Sequence, residues 1–128
     1  MTKSYSDILR EARAEVREVS THELDLQRES TSPPLVVDVR ENHEWEAGHL
    51  PGAIHVPRSH LESLIEGAAP DRSRPVVLYC ASGVRSVFAS KTLGELGYTN
   101  VASMAGGFQA WKSQGLPWEM PTLLSAEQ

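Results

Sequence analysis

An α/β fold, with one five-stranded, mainly parallel sheet flanked by helices on both faces, follows from three observations on the sequence. Short apolar runs such as Leu35-Val-Val-Asp-Val39 and Val76-Val-Leu-Tyr79 alternate along the chain with segments of helical apolar spacing. Those runs are continuous, as in strands covered on both faces, rather than alternating as in half-exposed ones. The chain of 128 residues is long enough for one domain that buries roughly two-thirds of the surface its unfolded form exposes.

Composition narrows the classes of function. A single cysteine forms no internal disulfide, no apolar run approaches the length of a membrane span, and Met1 to Asp7 carry no apolar signal core. A soluble protein of the reducing cytoplasm is the expectation. The formal net charge of −5 argues against nucleic acid and acidic membranes as partners, since both need a basic surface. No internal repeat or low-complexity segment interrupts the chain.

The elements follow in order. Tyr5, Ile8, Leu9, Ala12 and Val16 fall at helical spacing behind Ser4 and Asp7, which predicts an amphipathic helix over residues 1–15 packed as an arm on the domain. A domain over 16–120 then opens with a short edge strand, Val16 to Val19. Ser20-Thr-His-Glu23 matches a capping box and starts a helix that runs to about Gln27. Ser30 to Pro34 form a loop before the strand Leu35–Val39, whose Asp38 needs a partner when buried.

Glu41 to Ala47 predict a short acidic helix ending at Gly48, and His49 to Ala53 a turn into the strand Ala53–Val56, which Pro57 stops. Ser59-x-x-Glu62 reads as another capping box, with Leu61, Leu64 and Ile65 on one helical face and Gly67 as the C-cap. After the loop Ala69–Pro75 come the strand from Val76, a helix from Ser86 to Leu96, and Gly97 at its C-cap. Asn100 to Met104 make the fifth strand, and Gly106-Gly107 open a last helix that turns Ala110 and Trp111 inward and ends at Gly115. Leu116 to Met120 extend along the body through Trp118, and residues 121–128 form a loose tail.

The only cysteine, Cys80, falls where a strand ends and a helix begins. Ligands of parallel α/β sheets bind at such strand ends, where free backbone N–H groups favour an anion. A free thiol has a pKa of about 8.5, so a nucleophilic role needs help. A helix dipole contributes only ~0.3–1 kcal/mol, less than the ~1.4 kcal/mol equivalent to one pKa unit. Converging loop N–H groups, a backbone curl at Gly83 and the guanidinium of Arg85 are therefore expected to lower the thiol together. The plain alternative is a small buried core residue.

Four segments of the chain, in order, resemble those of a single-domain rhodanese, a thiosulfate-type sulfurtransferase. They are Asp38-Val-Arg40, Gly48-His-Leu-Pro-Gly-Ala53, Cys80-Ala-Ser-Gly-Val-Arg-Ser86 and Gly106-Gly-Phe-Gln-Ala-Trp111. The resemblance implies that Cys80 takes a sulfane sulfur from thiosulfate or a persulfide donor, becomes a persulfide, and passes the sulfur to cyanide or a thiol. It implies that Ala81, Ser82, Gly83, Val84, Arg85 and Ser86 cradle that sulfur, with Arg85 holding an anionic donor, and that Asp38 and Arg40 tie neighbouring loops together. Arg58, just past Pro57, either borders the pocket or is a solvated surface residue.

Phosphatases and arsenate reductases of the same fold place five residues between Cys and Arg; here Ala81 to Val84 make four, which favours sulfur over a tetrahedral oxyanion. Because Arg85 is the sole charge in the loop, modest affinity for thiosulfate is expected, with a protein or low-molecular-weight persulfide as an alternative donor. A persulfide carrier or partner-binding module is the alternative to a free enzyme. With no second cysteine, the discharge of Cys80 is intermolecular. His22, His43, His49, His55 and His60 lack metal-ligand spacing, so no metal and no cofactor are expected, and Trp45, Trp111 and Trp118 read as packing residues.

Overall fold

The strand Val76–Tyr79 (β4) is buried along its whole length, and its residues divide alternately between the two faces of the sheet. Val76 and Leu78 enter one apolar cluster, Val77 and Tyr79 the other. Around it pair Arg17–Val19 (β1), Leu35–Asp38 (β2), Ile54–His55 (β3) and Val101–Met104 (β5), in the spatial order β1-β5-β4-β2-β3. Every pairing is parallel, so the sheet expected to be mainly parallel is wholly so among the described residues. The structure is a computed structural model and describes residues 2–121; most of the segment read as a loose tail, residues 122–128, lies outside them.

Among the described residues, six α-helices cover the sheet: Tyr5–Glu15 (α1), Thr21–Arg28 (α2), Asn42–Glu46 (α3), Leu61–Ala68 (α4), Arg85–Glu95 (α5) and Gly107–Ser113 (α6). Leu61 and Ile65 of α4 pack with Ala89 and Leu93 of α5 over one face, and α1 lies against α5 through its buried Ala12. Leu24 of α2 and Phe108 and Trp111 of α6 fill the other face. The expected capping boxes form at both early helices: Ser4 with Asp7, and Ser20 with Glu23. None of the helices is long and apolar enough to cross a membrane.

Four details differ from what the sequence predicts. Ser59 does not cap α4, because the chain already turns in a 3-10 turn over Arg58–His60, and that turn supplies the first backbone bonds. The helix runs through Ala68, so Gly67 is interior and Ala69 is the cap residue. Leu64 points outward, since the buried row is Leu61, Ile65 and Ala69 at steps of four, and a residue at step three falls on the rim. In α6 the deeply placed residues are Phe108 and Trp111, with Ala110 only partly buried.

The carboxylate of Asp38 finds its partner two residues on. Arg40 donates through Nε and Nη2 to both Asp38 oxygens, at 3.0 Å to Oδ1 and 2.7 Å to Oδ2. Its Nη2 also donates to the Gly48 carbonyl at 2.6 Å. The Tyr79 hydroxyl donates to Asp38 Oδ2 at 2.7 Å and accepts from the Leu50 N–H at 3.1 Å. Burial, and then the adjacent Asp38 charge, push the Tyr79 phenol well above its usual range, which keeps it a donor. This network joins the ends of β2 and β4 to the turn after Gly48.

Because both members of the Asp38–Arg40 pair are almost fully buried, removing one leaves the other charge uncompensated. Arg40→Met is expected to cost about 3–5 kcal/mol in urea unfolding. A loss below about 1 kcal/mol, the scale of an exposed ion pair, would contradict a supporting role for the pair.

Candidate active site

Cys80 follows β4 directly and is 1% exposed, with the loop from Ala81 to Val84 arching from it into α5. The shape of that loop is fixed from the side of α6. The Phe108 N–H donates to the Cys80 carbonyl at 2.8 Å, and the Gln109 N–H donates to the Ala81 carbonyl at 3.0 Å. Among the described residues no peptide bond is cis, and a trans peptide directs its N–H opposite to its C=O. The N–H groups of Ala81 and Ser82 therefore point away from α6.

Two glycines permit this approach. A Cβ on Gly107 would lie 2.5 Å from the Cys80 carbonyl oxygen and 2.6 Å from that of Ala81, so no other residue fits without displacing the loop. Gly83 adopts φ +96°, a conformation that residues with a Cβ rarely take, and turns the loop back on itself. Its N–H then donates to Cys80 Sγ at 3.2 Å. From the first residues of α5, the Ser86 N–H donates to the same sulfur at 3.4 Å, and the Ser86 hydroxyl lies 3.4 Å from it.

The electrostatic result is a thiol shifted toward its anion. Burial alone pushes the Cys80 thiol up, but the Ser86 hydroxyl and the N–H groups of Ser86, Gly83 and Ser82 outweigh burial and hold it below its usual value. Behind the sulfur, Ser86 Oγ is 2.8 Å from Ser103 Oγ on β5, and both serines are fully buried. A thiolate only accepts, so Ser86 donates its one hydroxyl proton to sulfur and Ser103 donates to Ser86. Sequence reading passed over Ser103, which stands in an ordinary strand; its only signal was a hydroxyl amid the apolar run Val101-Ala-Ser-Met104.

The structure brings together Cys80 and its loop residues; Arg85 stays within electrostatic reach of Cys80 but spends its hydrogen bonds on another element. Both terminal nitrogens of Arg85 donate to Glu44 of α3, Nη1 to Oε1 at 2.8 Å and Nη2 to Oε2 at 2.9 Å. The Arg85 hydrogen bonds hold the Glu44 carboxyl down at about 2, so the pair stays ionised at neutral pH. The expectation that Arg85 reaches the sulfur has no hydrogen bond behind it. Arg58 is half-exposed and donates to Glu62 at 2.8 Å and to the Thr92 hydroxyl at 3.1 Å, on the outer side of α4 and α5.

Asp38 and Arg40 do not touch the sulfur; they brace the turn beneath it. His49, at that turn, stacks on Trp45 with ring centroids 3.6 Å apart, and Nδ1 lies 2.8 Å from the Leu50 carbonyl. The extended segment after α6 closes this side: Glu119 and His49 exchange backbone hydrogen bonds at 2.8 and 2.9 Å, and Trp118 meets Phe108 edge-on. Among the described residues, no cluster of His, Cys, Asp and Glu is arranged to hold a metal ion.

Comparison with known proteins agrees with this arrangement. The family described as Rhodanese-like domain matches residues 20–114. A protein of Allochromatium vinosum named sulfurtransferase is 36% identical over 106 residues, covering 83% of this chain and 97% of that one. The uncharacterized protein YqhL of Bacillus subtilis is 41% identical over 76 residues, but the match spans only 59% of either chain. A solved structure from Rhodopseudomonas palustris, of unknown function and titled a possible tyrosine phosphatase, superposes with a TM-score of 0.82 at 31% identity, covering 93% of this chain and 96% of that one.

The hydroxyl chain has a measurable consequence. Ser103→Ala frees Ser86 from its outer donor, and the apparent pKa of Cys80 is expected to rise by about 0.5–1 unit, the equivalent of one net hydrogen bond of ~1 kcal/mol. The pH profile of alkylation by iodoacetamide reads this directly, since no other thiol is present. An unchanged profile would remove Ser103 from the site.

Proposed function

The chain belongs to the rhodanese-like domain family, and from that premise we propose that it is a sulfurtransferase whose covalent intermediate is a persulfide on Cys80. One observation carries the reading: N–H groups of Gly83 and Ser86 and the Ser86 hydroxyl converge on one nearly buried sulfur. A cradle of that kind suits a chemistry in which an anionic sulfur is present before, during and after each step.

The first step is a displacement at sulfur. The Cys80 thiolate attacks the outer sulfur of a sulfane donor, a new S–S bond forms to Cys80, and the old one breaks with its electron pair on the leaving group, sulfite when the donor is thiosulfate. In the second step an acceptor attacks the terminal sulfur of the Cys80 persulfide. Cyanide leaves as thiocyanate, a thiolate leaves as a new persulfide, and the Cys80 thiolate is restored. Neither step needs an oxidant, since each sulfur lost by one partner is gained by the other. The residues Ala81 to Ser86 enclose the transferred atom, and Arg85 stands at the rim toward Glu44.

The related structure titled a possible tyrosine phosphatase raises phosphate-ester hydrolysis as the competing reaction. Two observations weigh against it: only four residues separate Cys80 from Arg85, and both terminal nitrogens of Arg85 are already engaged with Glu44. A phosphoryl group carries two charges and gains most from a bidentate guanidinium.

Intact-mass measurement after incubation with thiosulfate or an alkyl persulfide is expected to show one added sulfur atom, removed by cyanide and absent in Cys80→Ser. No adduct with any sulfane donor, together with aryl phosphate hydrolysis that disappears in Cys80→Ser, would reverse the assignment.

A further inference from the structure

The entrance to the Cys80 loop is electrically unusual for a site meant to take small anions. Arg85 is the only charged residue between Cys80 and Ser86, yet its side chain is in an end-on, two-bond pair with a carboxylate from another element. Glu44 is itself pinned: Oε1 accepts the Glu41 backbone N–H at 2.9 Å, which closes the first turn of α3. The carboxylate is therefore built into its helix and not a side chain passing by. With the guanidinium neutralised at its outer edge, a doubly charged donor meets no net positive charge there, and Glu41 adds an exposed carboxylate at the start of the same helix.

We propose that Glu44 is a specificity-determining residue that selects against multiply charged sulfur donors by holding Arg85 in a bidentate ion pair at the mouth of the Cys80 loop. The inference rests on the sulfur-transfer reading above. The sulfur that is transferred is stabilised by backbone N–H groups and Ser86, which act at short range on any sulfane sulfur whatever its leaving group. The leaving group is what Arg85 would contact. Sulfite is a dianion and asks for a free guanidinium; an alkyl thiolate leaving group carries one charge and asks for much less. Glu44 thus shifts preference toward donors carrying one charge or none, such as organic persulfides and polysulfides.

A series of donors graded by charge tests this. KM is measured with thiosulfate (a dianion), methanethiosulfonate (a monoanion) and cysteamine persulfide (a zwitterion of no net charge), for the native chain and for Glu44→Gln, which keeps an acceptor oxygen for the Glu41 N–H. Freeing Arg85 is expected to lower the KM for thiosulfate about tenfold, the factor that ~1.4 kcal/mol provides. The monoanion should gain less, and the zwitterion should change by less than about twofold, within the additivity error of an unrelated site. Glu44→Asp, which keeps the charge, should keep thiosulfate weak.

Equal shifts with all three donors would mean a merely structural effect on α3 and would overturn the inference, as would a higher KM for thiosulfate in Glu44→Gln. Loading of native Cys80 with sulfur, followed by mass, is the control that separates the two claims. If native Cys80 takes up sulfur but the charge series is flat, only the role of Glu44 fails. If native Cys80 takes up sulfur from none of the three donors, the sulfur-transfer reading fails and the role of Glu44 with it.

Discussion

The site depends on a constraint of covalent geometry: a trans peptide cannot point its N–H and its C=O the same way. Because the first N–H groups of α6 take the carbonyls of Cys80 and Ala81, the donors of that stretch are directed to the other side, and Gly83 and Ser86 complete the ring around the sulfur. That placement requires α6 to press its N-terminal turn against the loop, where the absence of a side chain at Gly107 leaves room. The depth of Phe108 and Trp111 in the core holds α6 in that position. The downward shift of the Cys80 thiol is thus a property of packing between α6 and the end of β4.

Charge is distributed in the same spirit. The deepest ion pair, Asp38–Arg40, lies under the turn after Gly48 and is hydrogen-bonded further to the Gly48 carbonyl and the Tyr79 hydroxyl, which offsets part of the cost of burying it. The second pair, Glu44–Arg85, sits at the rim and is partly open to solvent. Between them the sulfur is served by dipoles: N–H groups and two serine hydroxyls. Fixed dipoles stabilise an anion without the long-range attraction of a cation, so they favour the thiolate of Cys80, and the persulfide of the proposed reaction, while contributing little to the capture of a charged donor.

Much of this was legible in the sequence because it is local. The continuous apolar runs gave the strands, the capping boxes at Ser4 and Ser20 gave two helix starts, and the position of Cys80 at a strand end marked the site. Ser59 misled because the same letters inside a 3-10 turn have no capping task. What the sequence did not yield are contacts between distant segments. Ser103 reaches Ser86 across the sheet, Glu44 reaches Arg85 from a helix 41 residues away, and the carbonyls of Cys80 and Ala81 are met by α6. In each case the residue type is common and only the three-dimensional placement is informative.

The most direct test of the account is a crystal structure of the chain after sulfur loading. A single atom bonded to Cys80 Sγ, enclosed by the N–H groups of the Ala81–Ser86 loop, with Ser86 and Ser103 still hydrogen-bonded behind it, is the predicted result. A terminal sulfur turned away from the loop N–H groups, or a tetrahedral anion in the loop with Arg85 swung off Glu44 to meet it, would contradict the claim that this cradle is built for a persulfide.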